Sequence, residues 1–579
     1  MTTKTNHRGL AALTLAALIG LPSTGALADT TRDEIRLLKA RLHQLEQREA
    51  ARDREARAPK VHGSNAMVVH ADDGHLPDRI YFKGVSVKPG GYFAMETVYR
   101  QHWQGSDMGT GWAATPLGLT ATGQPAETRF SARASRQSLL FEADLDPVAL
   151  ITKGPPAPAG ARIQGYLETD FQGAAQTANS NSTNSYNLRM RQIWTNIDWA
   201  NLWGLGGVHF TAGQMWTLGT TNSGPIRVDN FVTPPTIDQT YLPGFYFARQ
   251  PGFRITKDLP WDITAAFAVE GSSTVWATNG TPLAGLPGTP ITALLPAACG
   301  GATVACATPI LGGAPFGGST FNSANGYSFN RLPDFVGKVA WDPTFFDRHI
   351  HVEGFGVLRD FDERFYWGNH SVWAGGGGGS VIVPILPKLV DFQASGAIGA
   401  GIGRFGAGSS GAAGGFGGIN GWDATYGLSG NIIPIHTRML LLGVTVHALP
   451  TTDIYAFAGG EFNGQNNAQY GWWKVGASPT LFVSGFGSYL NNNAGCEIEA
   501  PSNYGLTNPT SLVTTCANQT KMVRQVTTGI WHTLYAGDFG KVKVGAQYAY
   551  TVRDLTAGIG GQPRGTNNAF YTSFRWYPF

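Results

Sequence analysis

The sequence predicts an all-β protein, a transmembrane antiparallel β-barrel of about 16 strands preceded by a short N-terminal α-helical coiled coil. Three observations predict the barrel. Segments of about ten residues alternate apolar with polar side chains, and the short turns between them alternate with long loops. Charged residues make up only 14% of the chain, whereas aromatic residues make up 11%. Finally, the sequence contains no apolar run that is long enough for a transmembrane helix.

The clearest strand pattern lies within residues 161–216. In the segment ARIQGYLETDF, Ile163 and Leu167 lie on one side of an extended chain, whereas Arg162 and Glu168 lie on the other. The segments NLRMRQIWTNID and VHFTAGQMW repeat this period of two. In a membrane barrel the apolar side chains of such strands face lipid and the polar ones line the lumen. A soluble β-sandwich, which needs a packed core between two sheets, fits the alternation of short turns and long loops less well.

Residues 1–28 have the pattern of a secretory signal peptide. Lys4 and Arg8 give a positively charged start, residues 10–21 form an apolar core, and an Ala-Leu-Ala motif provides a cleavage site before Asp29. A membrane-retained anchor is the alternative, but the apolar core is short for a membrane span. We therefore expect export across the inner membrane of a Gram-negative bacterium and insertion into its outer membrane.

Residues 29–58 are rich in charge and predict a periplasmic coiled-coil segment. Apolar residues recur at alternating spacings of three and four, as in an a/d seam; they are Ile35, Leu38, Leu42 and Leu45. A seam of about two heptads is marginal alone, so we expect several copies that are held together by another part of the protein. The alternative is a solvated amphipathic helix without a partner. Pro59 ends the helix, and residues 59–89 are a linker and the start of the barrel.

Residues 90–579 are predicted to form the outer-membrane barrel. We expect Glu127–Leu145 to be one long strand whose alternation slips near Gln137 through a β-bulge. The five consecutive glycines at 375–379 are expected to form a loop. Aromatic residues at strand ends would form girdles at the two membrane interfaces; the candidates are Tyr92, Trp194, Trp216, Trp261, Trp341, Trp576 and Tyr577.

One long connection has the composition of a loop that packs against something. Residues near 218–245 are irregular and rich in proline, so they do not form a strand. They nevertheless contain apolar side chains that need a packing partner: Ile226, Phe231, Ile237 and Tyr241. We expect this segment to fold into the barrel and to act as a constriction loop.

The four cysteines fall into two local pairs, Cys299 with Cys306 and Cys496 with Cys516. Neither pair has neighbouring His or Cys residues that would complete a zinc site. We expect two disulfides in exposed loops of an oxidising compartment, and the sequence leaves crossed pairings open. No metal site and no cofactor are predicted.

Five segments of the chain resemble a known family. The succession ETRFSARASRQSLLFEA, RIQGYLETDF, LRMRQIWTNIDW, FTAGQMWTL and ARQPGFRIT is similar to the front half of DcaP-like trimeric outer-membrane porins. The resemblance is sharpest over residues 127–257, and the chain departs from the family in its cysteine-bearing loops and Gly-rich inserts. It implies a homotrimer, a short periplasmic coil joined to a barrel of sixteen strands, and passive uptake of small anionic solutes such as dicarboxylates.

Selectivity in a pore is set by charges at its narrow zone. Arginine suits the recognition of anions because its charge does not titrate and its planar group binds carboxylates with two parallel hydrogen bonds. The candidate pore-lining, anion-guiding residues are Arg129, Arg133, Arg162, Arg189, Arg191, Arg249 and Arg254. Asp229 and Asp238 of the constriction loop are the candidate acidic residues that face them. The alternative is that these arginines merely form ion pairs with Glu168 and Asp170.

Together these patterns predict a porin for passive diffusion of small hydrophilic solutes, with a preference for anions. The alternative is a barrel with a largely closed lumen that serves in surface interaction or as a scaffold. We do not expect an enzyme, because no hydrolase, metalloprotease or nucleotide-binding motif occurs. The net charge of +3 gives no reason to expect nucleic acid as a partner. The expected partners are outer-membrane lipid, further copies of the chain in a homotrimer, and small anionic solutes.

Overall fold

A computed structural model describes the chain from residue 78 onwards, with gaps. The described residues are 78–145, 161–173, 187–277, 316–318, 322–327, 330–346, 348–365, 368–410, 421–427, 431–465, 468–475, 478–499, 516 and 518–579. The predicted signal peptide, the coiled-coil residues Ile35, Leu38, Leu42 and Leu45, and the cysteines Cys299 and Cys306 lie outside the described residues.

The described residues form a closed antiparallel barrel of sixteen strands, which confirms the predicted barrel. In chain order the strands are β1 (Val85–Arg100), β2 (Glu127–Ser131 continued by Arg136–Leu145), β3 (Ala161–Gly173), β4 (Asn187–Trp199), β5 (Val208–Trp216), β6 (Arg249–Leu259), β7 (Ile263–Glu270), β8 (Asp334–Trp341), β9 (His351–Phe365), β10 (Gly368–Leu386), β11 (Val390–Ala400), β12 (His436–Leu449), β13 (Thr452–Asn463), β14 (Thr520–Gly537), β15 (Gly540–Leu555) and β16 (Arg564–Tyr577). Each strand pairs with its neighbours in sequence, and β1 also pairs with β16. The sheet therefore closes on itself, which gives the edge strands hydrogen-bond partners.

The two ends of the barrel differ in their connections. At the short-turn end, the hairpins β6–β7, β12–β13 and β14–β15 are joined by turns of two or three residues. The chain also enters β1 and leaves β16 at this end. At the long-loop end, the connections include residues 101–126, 217–248 and 401–435. No helix among the described residues is long and apolar enough to cross a membrane.

Alternation along each strand gives the barrel two chemically different faces. On the outer face, large apolar side chains such as Phe93, Phe267 and Leu440 are about half exposed. On the inner face, charged side chains such as Glu168 and Lys338 are buried. An apolar outer surface around a polar interior is typical of a barrel that is surrounded by lipid.

Strand β2 is interrupted, which corrects the prediction that Glu127–Leu145 is one continuous strand. The interruption lies at residues 132–135, and the alternation is regular around Gln137. The hydroxyl of Ser135 accepts a hydrogen bond from the N–H of Ala94 at 2.9 Å, so a side chain replaces part of the ladder here.

The interruption decides which arginines of β2 face the lumen. Before it, Arg129 lies opposite the buried Val98 of β1. After it, Arg136 lies opposite Tyr92 of β1. Odd-numbered residues therefore face inward before the interruption and even-numbered residues after it.

The glycines at 375–379 lie in the middle of β10 and do not form the predicted loop. They pair with β9 on one side and with β11 on the other. A Cβ atom on Gly378 would lie 2.8 Å from the ring of Phe355 and 2.3 Å from the carbonyl oxygen of Gly396. This glycine is thus required by the close approach of neighbouring strands. Because the requirement arises on β9 and β11, the run of glycines alone does not reveal it.

The predicted aromatic girdle is only partly correct. Three of its members are exposed at the outer surface or in a turn: Trp261, Trp341 and Trp576. The other four face the interior: Trp194 and Trp216 are buried, and Tyr92 and Tyr577 line a cavity. In β4 the pairing shifts between Met190 and Gln192, which moves Trp194 to the inner face.

At the long-loop end, Cys496 and Cys516 form a disulfide. Cys496 is buried and packs with Leu117 and Leu555. The bond therefore links two residues of the β13–β14 connection. It lies beside the β1–β2 loop and the end of β15.

Candidate functional site: the inner loop and the basic chamber

Residues 217–248 connect β5 to β6 and lie inside the barrel; we call them the inner loop. At its start, the N–H of Leu218 donates to the carboxylate of Glu270 on β7 at 2.7 Å. Further along, the N–H of Ile237 donates to the amide oxygen of Gln547 on β15 at 2.6 Å. The inner loop therefore contacts inward-facing side chains on opposite walls of the barrel.

On the side of β7–β12 the inner loop makes apolar contacts with the wall. The ring of Tyr246 lies 4.9 Å from that of Phe405 and 4.6 Å from that of Phe355. The wall around this stack consists of small or aliphatic side chains: Ala266, Ala268, Val336, Ala340, Val357, Ala397 and Met439. We call this part of the lumen the filled half.

A buried ion pair attaches the inner loop to the wall of the filled half. The ammonium group of Lys338 on β8 lies 2.6 Å from the carboxylate of Glu353 on β9, and both side chains are almost fully buried. The same ammonium donates to the carbonyl oxygen of Thr220 at 2.8 Å and to the amide oxygen of Asn222 at 2.7 Å. All three hydrogen-bond donors of this ammonium group therefore have a partner.

Two further buried charges hold loops in the filled half. Glu461 on β13 accepts the N–H of Gly244 in the inner loop at 2.9 Å. Arg359 on β9 donates to Asp334 at 3.2 Å and lies 2.9 Å from the carboxylate of Asp423 in the β11–β12 connection. Glu461 is thus held by backbone N–H groups and Arg359 by two aspartates, and both side chains are hidden from solvent.

On the other side of the inner loop a cavity of about 400 Å³ remains. It lies between residues 233–241 of the inner loop and the wall, toward the short-turn end. The charged or titratable groups at its surface, tyrosines aside, are Arg136, Arg191, Lys543, Arg575, His447, Asp238 and Asp453. We call this cavity the basic chamber.

Arg575 of β16 is held rigidly at the chamber wall. Its guanidinium lies between the rings of Tyr92 and Trp531, 4.8 Å and 4.6 Å from their centroids. It also donates to the carboxylate of Glu96 on β1 at 2.6 Å. Stacking and a charge-assisted hydrogen bond together fix the orientation of this cation.

The other cations of the wall are more open. Arg136 Nε lies 3.2 Å from the carboxylate of Glu168, and about a third of the Arg136 side chain stays exposed. Lys543 of β15 lies directly opposite Arg575 in the strand pairing. Its ammonium has no hydrogen-bond or ion-pair partner in the part of the chain that the structure describes. Within the described ranges, no carboxylate neutralises the charge of Lys543.

The carboxylates near the chamber are engaged by the protein. Besides Arg575, Glu96 accepts hydrogen bonds from Ser573 at 3.1 Å and Gln239 at 2.9 Å. Asp453 accepts one from Nδ1 of His447 at 2.7 Å. At the chamber surface itself, four cations, Arg136, Arg191, Lys543 and Arg575, face two carboxylates, Asp238 and Asp453, so the surface carries more positive than negative groups.

The pKa of Tyr241 in the inner loop reflects the positive charge of the arginines around it. Its hydroxyl accepts a hydrogen bond from Arg191 at 3.4 Å. Burial opposes ionisation of the phenol, but the positive charges of Arg191, Arg136 and Arg249 outweigh burial and lower the pKa of Tyr241. The backbone of Tyr241 has a φ of +63°, a strained conformation for a residue with a side chain.

Arg189 and Arg191 lie together on the inner face of β4 and bind carboxylates of β3. Arg189 makes two hydrogen bonds to Asp170, at 2.9 Å and 2.6 Å. Arg191 bonds to Glu168 at 2.5 Å and to Asp170 at 2.8 Å, and its side chain is only 5% exposed. The pairing with Glu168 and Asp170 that the sequence offers as an alternative is therefore present. Arg191 also borders the basic chamber.

Arg129, Arg133 and Arg162 do not line the basic chamber. Arg129 lies 3.4 Å from Glu127 near the long-loop end. Arg133 lies in the interruption of β2, where it bonds to Asp107 at 2.9 Å. Arg162 pairs with a glutamate of β2 near the short-turn end. These three arginines are spread along the barrel.

Arg249 and Arg254 of β6 lie around Trp216. The guanidinium of Arg249 lies 5.8 Å from the centroid of the Trp216 ring. Arg254 is buried and donates to the carbonyl oxygen of Trp216 at 2.7 Å. Both arginines support the start of the inner loop.

The two acidic candidates of the inner loop have different environments. Asp238 is buried and accepts hydrogen bonds from Thr110, at 3.1 Å from its N–H, and from Tyr571 at 3.1 Å. It therefore ties the inner loop to the β1–β2 loop and to β16. Asp229 is exposed and has no hydrogen-bond partner among the described residues.

Three cations of the chamber, Arg136, Lys543 and Arg575, are not among the residues that the sequence singles out. Lys543 alternates with Val542 and Val544, which marks it as polar-face. Arg136 is hidden by the interruption of β2, since a continuous alternation from Glu127 places it outside. Arg575 lies in a strand that the sequence predicts clearly. Its position beside Tyr92 at the chamber depends on the pairing of β16 with β1, which closes the barrel.

No protein-family model and no curated protein sequence matches the chain. Solved structures match it in fold. The outer-membrane channel DcaP of Acinetobacter baumannii matches with 13% identity and a TM-score of 0.50, over 85% of this chain and 98% of that chain. The barrel has a fold similar to that of this channel.

Other solved structures align over similar lengths. The anion-selective porin from Comamonas acidovorans matches with 9% identity and a TM-score of 0.39, over 85% of this chain and 99% of that chain. OprB of Pseudomonas putida matches with 7% identity and a TM-score of 0.41, over 84% of this chain and 94% of that chain.

Proposed function

We propose that the chain is an outer-membrane porin of a Gram-negative bacterium, through which small hydrophilic solutes diffuse passively and anions pass preferentially. The basic chamber is the observation that supports this proposal most. Arg136, Arg191, Lys543 and Arg575 border its space, against the two carboxylates of Asp238 and Asp453. A positive potential in a narrow, water-filled zone concentrates anions and repels cations.

Small carboxylates are the solute class that fits this chamber. Arg136 and Lys543 present cationic groups that are not saturated by the protein, so a solute with two carboxylates can meet both. Ion pairing and hydrogen bonding then act together on each carboxylate. The DcaP-like resemblance of residues 127–257 independently suggests dicarboxylates.

The most direct test of the chamber is charge reversal at Lys543. In planar bilayers the variant Lys543→Glu is expected to lower the chloride-to-potassium permeability ratio by about fivefold. With screening by about 0.1 M salt, a change of two unit charges at about 8 Å in water raises the energy of chloride and lowers that of potassium by roughly 0.5 kcal/mol each, and the two shifts add in the ratio. Lys388→Glu, in the exposed turn between β10 and β11, is the control for net charge and is expected to behave as wild type. An unchanged ratio in Lys543→Glu would remove the chamber from the conduction path.

Charge reversal at Arg133 and Arg191 is less informative. Arg133 is bound to Asp107 outside the chamber, and Arg191 is buried between Glu168 and Asp170. Replacing Arg191 by glutamate would bring three carboxylates together, so a structural defect would mask any effect on ion preference.

We also propose a homotrimer in which residues 29–58 act as a periplasmic coiled coil after removal of residues 1–28. Deletion of residues 31–58 is expected to loosen the assembly and to leave the barrel folded. Light scattering after gel filtration in detergent measures the mass, and heat-modifiable gel mobility reports the folded barrel. A monomeric full-length protein would contradict the trimer, and an unfolded deletion variant would contradict the independence of the barrel.

A second candidate function is a surface scaffold with a closed lumen, and the filled half is the observation that favours it. There the inner loop packs on the wall through Tyr246, Phe355 and Phe405. A scaffold predicts no single-channel steps for the wild-type protein, whereas the porin predicts steps with anion preference.

A further inference from the structure

The outer face of β12–β15 carries a groove of about 600 Å³. Its floor follows β13, where Ala458 and Gly460 face outward. Leu440 of β12 forms one side and Val526 of β14 the other, and these two side chains are 54% and 58% exposed. The two flanking strands lie about 10 Å apart, twice the usual strand spacing, so the groove has the width of a hydrocarbon chain. Its surface is apolar along most of its length.

Cations lie at the end of this groove that is nearer to the long loops. Arg438 of β12 lies opposite Phe462 of β13 in the strand pairing, and Lys521 lies 5.5 Å above the ring of the same Phe462. One step nearer to the middle of the barrel, Arg524 of β14 lies opposite the groove floor. Arg564, at the start of β16, borders the groove as well.

Acidic groups neutralise only part of this cluster. Arg564 donates to the carboxylate of Asp554 at 2.6 Å, and Arg524 lies 3.7 Å from the same carboxylate. Glu497 accepts the backbone N–H of Arg564 at 2.9 Å. Arg438 is exposed and has no hydrogen-bond or ion-pair partner within the described ranges. The four cations Arg438, Lys521, Arg524 and Arg564 thus outnumber the two carboxylates.

We propose that this groove binds a phosphorylated glycolipid of the outer leaflet. One acyl chain lies along Ala458 and Gly460, and a phosphate lies among the cations at the upper end. Guanidinium groups bind phosphate through paired, charge-assisted hydrogen bonds, and the apolar walls exclude water from the acyl chain. The site rests on the proposed outer-membrane location, with the long loops outside the cell, and is independent of what passes through the lumen.

A second copy of the chain fits this surface less well. The outer face of the barrel presents large apolar groups such as Phe93 and Phe267. Packing such a face here would bury the charge of Arg438 without an anionic partner and leave Arg524 only its 3.7 Å contact with Asp554, which is costly. A lipid with phosphate supplies both the hydrocarbon and the missing negative charge.

The test uses the full-length protein in detergent and native mass spectrometry. The probes are lipid A with two phosphates, the same lipid without phosphate, and phosphatidylglycerol. We expect lipid A with phosphates to bind about tenfold more tightly than either other probe, because two phosphates make more charge-assisted hydrogen bonds to the guanidinium groups than one phosphate or none. The double variant Arg438→Gln with Arg524→Gln is expected to remove this preference.

Gly460→Leu tests the acyl half of the site separately. A Cβ at this position meets its nearest heavy atoms at 3.5 Å, so the substitution fills the groove without a clash. It is expected to weaken binding of all three lipids, whereas the control Lys388→Gln leaves them unchanged. Heat-modifiable mobility verifies that each variant is folded.

Three results would overturn the proposal. The first is equal binding of lipid A with and without phosphate by the wild-type protein. The second is unchanged lipid A binding in both folded groove variants. The third is loss of the oligomer in Gly460→Leu with lipid affinity unchanged, which would assign the groove to contacts between copies of the chain. If the wild-type protein shows no conductance, the lipid-binding result still holds. The two proposals can therefore fail separately.

Discussion

The filled half and the basic chamber share one lumen, yet they use charge in opposite ways. In the filled half, Lys338 is enclosed by Glu353 and by two oxygens of the inner loop. In the basic chamber, Lys543 has no hydrogen-bond or ion-pair partner in the described part of the chain. The first lysine attaches a loop to the wall, and the charge of the second is not neutralised by any described residue.

The size of the inward-facing side chains differs in the same way. Alanines such as Ala266 and Ala397, together with Gly378, leave room for the inner loop to approach the wall of the filled half. The chamber wall instead carries long side chains that reach into open space. A lumen-facing charge is therefore a candidate for selectivity only when the protein has not already paired and buried it.

The two lysines are expected to differ most in what their replacement does to stability. Lys338→Met leaves Glu353 buried without its partner and is expected to lower the free energy of unfolding by about 3–5 kcal/mol. It also releases Thr220 and Asn222, so we expect a larger and noisier single-channel conductance. Urea-induced unfolding in lipid vesicles and bilayer recordings measure the two quantities.

Lys543→Met is the matched control, because the same substitution removes a charge that has no partner. Its unfolding free energy is expected to stay within about 0.5 kcal/mol of wild type, while its anion preference falls. Equal destabilisation by the two variants, or a changed ion preference in Lys338→Met alone, would contradict the division of the lumen.

A smaller effect is expected from a methyl group on the wall of the filled half. In Gly378→Ala the new Cβ meets the ring of Phe355 and the carbonyl of Gly396, so overpacking is expected to cost about 1–3 kcal/mol. Gly337→Ala on β8 is the control, since nothing lies within 4 Å of its added Cβ. If both variants unfold at the same urea concentration as wild type, the filled half is not tightly packed.

The smallest effect on conduction is expected from reduction of the Cys496–Cys516 disulfide. The bond spans 20 residues and contributes about 3 kcal/mol to local stability in the chain-entropy model. It lies at the long-loop end, whereas the basic chamber faces the short-turn end. Reduction is therefore expected to loosen the loop toward proteases and to leave the reversal potential unchanged. A shifted reversal potential would show that this loop acts on the chamber.

Much of the fold can be predicted from the sequence because its signals are local. The period of two in residues 161–173 and the turn around Pro260 each depend on a few neighbouring residues. The interruption of β2 and the glycines at 375–379 cannot be predicted in this way. In the interruption Ser135 bonds to Ala94, and Gly378 packs against Phe355; both partners lie on other strands, which no local window contains.

The site is less accessible to sequence reasoning than the fold. The alternation around Lys543 marks it as inward-facing, and that of Arg191 does the same. Which of these two cations is paired depends on the register of β3 and β4, which brings Glu168 and Asp170 beside Arg191. The chamber itself exists only because of the path of the inner loop across the lumen, and composition alone does not specify that path.

The reversal potential of the wild-type protein shows whether its lumen selects anions. One membrane separates two potassium chloride solutions that differ tenfold in concentration, and the voltage of zero current is recorded. We predict a potential whose sign indicates that chloride is more permeant than potassium. In Lys543→Met this potential moves toward zero. A wild-type potential on the potassium side, or no conductance at all, would contradict a lumen whose basic chamber selects anions.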